Sequence, residues 1–93
     1  MKEIKETILR ICDEALEGRI TLDEFYDRWP CGTDSQSEFR TVFLDLEDGI
    51  THSPGKFFSK GVDMPEWERS GAFWKIKEHS LKLKQDLEAQ DQQ

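Results

Sequence analysis

Apolar residues recur at Phe39, Val42, Phe43, Leu46 and Ile50, the i, i+3, i+4, i+7 spacing of one helix face continued to i+11. The carboxylates Asp45, Glu47 and Asp48 fall between those positions. The spacing predicts a helix that buries two phenylalanines and turns negative charge outward. Ser35 and Glu38 have the spacing of a capping box, with Asp34 or Ser35 as the cap, so the helix starts near Gln36. It runs to Ile50 or His52 and stops at His-Ser-Pro-Gly. Gly49, just inside that end, is expected to loosen the last turn.

The same periodicity marks an earlier helix over Glu3–Glu17, with Ile4, Ile8, Ile11, Cys12, Ala15 and Leu16 as its apolar stripe and Gly18 as a left-handed terminator. A second capping box, Thr21 with Glu24, opens a short helix. Leu22, Phe25, Tyr26 and Trp29 form its apolar face, Asp23, Glu24 and Asp27 point outward, and Pro30 ends it. The link Gly18–Ile20 is short enough to force a hairpin or a tight corner.

His52–Asp63 reads as the longest irregular stretch, with Phe57 and Phe58 adjacent in it. Asp63 then caps a last helix with Pro65 in its first turn, where the missing N–H costs nothing. Phe73, Ile76, Ser80, Leu83 and Leu87 form its core face, widened by Trp74 and Leu81. Continuous from Met64 to Glu88 it spans about 37 Å. Ser70-Gly71 marks a kink, or a break into a short helix and a long one. The tail 89–93 has nothing to bury and is expected to fray. No alternating β-branched run supports a sheet. The expectation is all-α: one bundle-like domain of four helices over residues 1–93, with one long loop before a long C-terminal helix.

Composition sharpens this picture. Only 35% of the 93 residues are apolar, but six Phe, three Trp and one Tyr are among them. Each buried ring removes about 150–250 Å² from water, so few are needed. A core this thin leaves both a monomer and a homodimer open. Residues 1–52 hold six Lys/Arg against thirteen Asp/Glu, and residues 53–93 hold seven of each. The net charge of −7 therefore lies entirely in the first half. Phosphate binding needs clustered cations, so nucleic acid and anionic membrane are not expected partners. A basic protein is. The N-terminal stretch has no continuous apolar run, and the two cysteines, Cys12 and Cys31, form no CxxC pair. A cytoplasmic location with two free thiols is expected, a Cys12–Cys31 disulfide being the alternative.

Few residues suggest catalysis or metal binding. Asp45-Leu-Glu-Asp-Gly49 lacks the ligand spacing of a calcium loop, because the glycine is fifth and Lys56 is twelfth. His52, His79, Cys12 and Cys31 are scattered singletons, not a zinc set. His52 reads as a C-terminal cap, His79 as a helix-surface residue and Cys12 as a small hydrophobe. Cys31 in its Pro-Cys-Gly turn and His52 are the two residues an enzyme would use. No catalytic site, metal or cofactor is expected.

The remaining candidates are carboxylates. Asp23, Glu24 and Asp27 on the second helix and Asp45, Glu47 and Asp48 on the third merge into one patch if those helices pack side by side. Such a patch offers carboxylates to Arg and Lys. Ordinary solvated helix faces explain the same residues. An alternative contact is apolar, through Phe57, Phe58 and Trp67.

The string LEGRITLDEFYDRW, Leu16 to Trp29, resembles the opening hairpin of small bacterial immunity proteins of the colicin D type. Asp45–Gly55 also resembles a segment of small uncharacterised bacterial proteins. The first resemblance covers fourteen residues. It implies a four-helix inhibitor whose acidic side chains fill the basic, RNA-binding active site of a ribonuclease toxin. The chain departs from that family in its long last helix and its aromatic loop. The functional expectation is a non-enzymatic protein-binding module, immunity-like. A dimeric or adaptor module working through the aromatic loop and long helix is the alternative.

Overall fold

The first corner of the chain is set by Gly18, whose φ of +69° is open to glycine at little cost. Its N–H donates to Ala15 O at 3.0 Å and that of Arg19 to Glu14 O at 2.9 Å, the paired bonds of a Schellman terminus. The computed structural model describes residues 2–30, 37–54 and 63–91. Five helices occupy them: α1 (Lys2–Leu16), α2 (Leu22–Arg28), α3 (Ser37–His52), α4 (Met64–Glu68) and α5 (Gly71–Asp91). The chain is all-α, with no strand among the described residues.

The Thr21 capping box forms in full. Glu24 N–H donates to Thr21 Oγ1 at 3.2 Å and Thr21 N–H to Glu24 Oε1 at 3.1 Å. Trp29 then turns extended at ψ 131°, as a residue before proline must. The expected cap of α3 lies outside the described residues. Its end is where the stop motif placed it, with Ser53 Oγ–H donating to Ile50 O at 3.0 Å and both Ser53 and Pro54 buried.

Five helices stand where four are expected, because the segment from Met64 is divided. Ser70 does the dividing. Its hydroxyl donates to Trp67 O at 2.9 Å, closing α4, and accepts from Phe73 N–H at 3.1 Å, opening α5. One side chain terminates one helix and caps the next. α5 alone runs 21 residues, about 31 Å. Its helical span reaches Asp91.

The core is built on α5. Ser80 Oγ–H donates to Asp13 Oδ1 at 3.0 Å and Lys5 pairs with Asp86 at 3.8 Å, so α1 runs antiparallel to α5. Asp45 against His79 and Gly49 against Ile76 set α3 antiparallel to α5 in the same way. The core between them holds Ile8, Ile11, Cys12, Ala15, Phe39, Val42, Leu46, Ile50, Ile76 and Leu83. Trp74 and Leu81 do not widen it, being 56% and 48% exposed. Each sits two residues, or 200° of helix, from a core residue, Ile76 and Leu83, and so faces away from α1 and α3.

Gly49 has a different role from the one expected. A Cβ there would lie 2.5 Å from Ile76 Cδ1 and 3.4 Å from the Trp67 ring, so this glycine is where α5 and α4 press on α3. Gly49→Ala should gain about 1 kcal/mol of helix propensity but lose about 1–3 to overpacking, a net destabilisation. Ile76→Val deletes the obstructing methyl. In a urea-denaturation double-mutant cycle, the pair should be more stable than the sum of the single effects by about 1 kcal/mol. Strict additivity would show that Gly49 is not a contact point.

Candidate functional site

Aromatic packing sets α2 on α3. Phe43 lies 5.1 Å from both Phe25 and Trp29 and 6.4 Å from Tyr26, ring centre to ring centre. Phe25 is fully buried and Trp29 nearly so, which leaves Tyr26 on the rim, half-exposed. From there the Tyr26 hydroxyl donates to Glu47 Oε2 on α3 at 2.5 Å. That bond joins the outward side of α2 to the outward side of α3.

The phenol carries the electrostatic signature of its surroundings. Its pKa is raised above 10.0, first by the hydrogen bond to Glu47, with the charges of Glu47 and Asp23 adding to it. A carboxylate acceptor favours the protonated phenol, and neighbouring negative charge opposes a second anion. Tyr26 is the sole tyrosine of the chain, so its ionisation can be followed by ultraviolet absorbance. Titration should give a midpoint above that of a free phenol, and Glu47→Gln should move it downward. An unmoved midpoint would place the hydroxyl elsewhere.

The six candidate carboxylates divide by what they touch. Asp23 and Asp27 are exposed. Asp48 is exposed too, with its nearer carboxylate oxygen 3.7 Å from His52 Nδ1. Glu47 is engaged by Tyr26. Glu24 is held in the capping box, and its carboxylate also accepts from the Thr21 hydroxyl at 3.1 Å. Asp45 is turned into the α3–α5 seam, where His79 Nε2–H donates to its Oδ2 at 2.7 Å. Among the described residues no lysine or arginine pairs with Asp23, Asp27, Glu47 or Asp48. The nearby Arg28 is engaged with Glu14 of α1, which raises its pKa. The outward set is therefore Asp23, Asp27, Glu47 and Asp48.

Three expectations change. His79 is not a plain surface residue, since its side chain is only 20% exposed and meets Asp45 of α3. Nothing in sequence pairs positions 45 and 79; only the antiparallel packing does. Tyr26 was placed on an apolar face, although an i+3 relation to Asp23 already hinted at an acidic neighbourhood. Trp67 is corrected as a partner contact, because it is 1% exposed. Its indole N–H donates to Ala15 O and Leu16 O, both at 3.1 Å, adding a side-chain donor to the carbonyl end of α1, where Ala15 O already accepts from Gly18 N–H. Phe57, Phe58 and Cys31 lie outside the described residues.

His52 ends α3 with Nδ1 2.8 Å from Asp48 O, donating to a terminal carbonyl as a capping residue does. Burial pushes the Cys12 thiol up to about 12, with Asp13 adding to the effect. It is a thiol, not a thiolate, at neutral pH. Among the described residues no three His, Cys, Asp or Glu side chains converge as metal ligands. No helix among them is long and apolar enough to cross a membrane. No protein-family profile, curated protein or solved structure matches the chain.

Proposed function

We propose that the chain is a non-enzymatic protein-binding module whose α2–α3 face receives a basic protein partner. The observation that carries this reading is the Tyr26–Glu47 hydrogen bond, because it brings the outward carboxylates of two helices onto one surface. The two helices hold seven Asp/Glu against Arg28 and Arg40. Carboxylates so placed attract cations and repel phosphates, so the face suits Arg and Lys of a protein and not nucleic acid. Its most concrete form is an immunity-like inhibitor of a basic nuclease toxin in a bacterial cytoplasm, as the Leu16–Trp29 resemblance suggests. There the outward acids would stand in for substrate phosphates. The test is a complex with such a nuclease, measured by calorimetry at low and high salt. Affinity that falls steeply with salt supports the reading, and affinity indifferent to salt removes it.

A second reading is a homodimer or adaptor contact through α5. It is favoured by Trp74 and Leu81, exposed and two turns apart on one face of that helix. Sedimentation would then show a dimer that persists in salt and dissociates on Trp74→Ala.

A further inference from the structure

Four large apolar side chains are exposed among the described residues, and they fall into two pairs. Trp74 and Leu81 share a face of α5 with Lys77, Lys84, Glu78 and Glu88, a mixed surround that selects no partner charge. Tyr26 and Leu44 form the other pair, 49% and 52% exposed, and both border Glu47. Tyr26 bonds to that carboxylate, and Leu44 precedes it by three residues on α3, within one helical turn. Asp48, four residues beyond Leu44, closes the far side, and Asp23 stands one turn before Tyr26 on α2. Among the residues of α3, Arg40 is the lone Lys or Arg.

We infer that the occupant of this face is a cationic amphipathic segment of a partner protein, one that carries apolar side chains between its arginines or lysines. This deepens the binding reading above and rests on it. A face of carboxylates alone would take any polycation. Here the Leu44 side chain stands half exposed, with Arg40 one turn before it and Glu47 and Asp48 one turn after, and a partner apolar group placed there removes both apolar surfaces from water. The Tyr26 ring presents an apolar surface beside two carboxylates, a setting in which an arginine can stack on the ring and pair with Glu47 at once. Aromatic and apolar anchors inside a charged rim are the usual anatomy of an energetic centre. Charge complementarity fixes the sign of the partner, and Tyr26 with Leu44 fixes its amphipathic character.

The test uses two synthetic peptides of equal length and charge, one interleaving arginine with leucine along a helix face, the other interleaving arginine with serine. Fluorescence anisotropy measures their binding to the wild-type chain, to Leu44→Ser, to Tyr26→Ser/Leu44→Ser and to Glu47→Lys/Asp48→Lys. The arginine–leucine peptide should bind the wild type about tenfold tighter than its serine counterpart. The double serine variant should abolish that preference, and the charge reversal should weaken both peptides. If Tyr26→Ser disturbs α2, Leu44→Ser alone decides, since its side chain faces away from the core, and it should reduce the preference several-fold. Equal binding of the two peptides, or a preference that survives the serine changes, overturns the inference while leaving the electrostatic reading in place. Binding unaffected by charge reversal, or no binding of either peptide, overturns both.

Discussion

Trp67→Ala should lower the thermal midpoint by about 15 °C or more, and in many conditions leave the chain unfolded. Trp67 is 1% exposed and touches three other helices. Its N–H closes the carbonyl end of α1. Its ring packs edge-on against Phe73 of α5 at 5.6 Å, and lies 3.4 Å from where a Cβ of Gly49 on α3 would be. Truncating a buried tryptophan costs about 3–5 kcal/mol, against a typical total stability of about 5–15 kcal/mol. Each kcal/mol shifts the midpoint of a domain this size by about 4–8 °C. Trp67→Phe keeps a six-membered ring but loses the donor and the rest of the indole. It should cost less than Trp67→Ala, through the lost hydrogen bond and a smaller cavity. Circular dichroism melts of the three proteins check the order. If Trp67→Ala melted within a few degrees of wild type, the junction of α1, α3, α4 and α5 would not be held by this side chain.

Reversing charge at Asp23, Glu47 and Asp48 together should weaken binding to a basic partner by about 10²–10³-fold while leaving the fold intact. The choice of residues follows from their surroundings. Asp45 is omitted because it accepts the His79 hydrogen bond, and a lysine there would break the α3–α5 seam and confuse binding with folding. Glu24 is omitted because it completes the Thr21 cap. Asp23 and Asp48 face outward, where a charge change typically alters stability by no more than about 0.5 kcal/mol each, and Glu47→Lys adds the loss of the exposed Tyr26 hydrogen bond, about 1 kcal/mol. Each reversal adds two charges, so the net charge rises from −7 to −1. Long-range attraction of a cationic partner should fall with it, which lowers the association rate more than it raises dissociation. Stopped-flow association and a thermal melt on the same variant separate loss of binding from loss of fold. Undiminished affinity in a folded variant would falsify the electrostatic reading.

Local patterning carried much of this molecule. The period of 3.6 located α1 and α3, and the Thr21–Glu24 box and Pro30 bounded α2. Gly18 adopted its left-handed turn, and Asp63 capped α4, accepting from Glu66 N–H at 2.9 Å. These features depend on groups no more than a few residues apart, so side-chain type and spacing suffice to read them. The candidate surface was legible only as a list of acids. Which of them face out depends on partners 21 and 34 residues away, Tyr26 for Glu47 and His79 for Asp45. Trp74 and Trp67 show the same limit. Both belong to amphipathic helical segments, yet one is exposed and the other is at the centre of the fold.

By itself, then, the chain determined its all-α character, its helix ends and the acidic bias of its first half, because each follows from short-range backbone hydrogen bonding and from composition. Tertiary structure decided the close approach at Gly49, the burial of Trp67, and the sorting of carboxylates into structural and outward ones. Those outcomes require elements distant in sequence to meet, and the geometry of that meeting is set by how the α1, α3 and α5 side chains fill a common space.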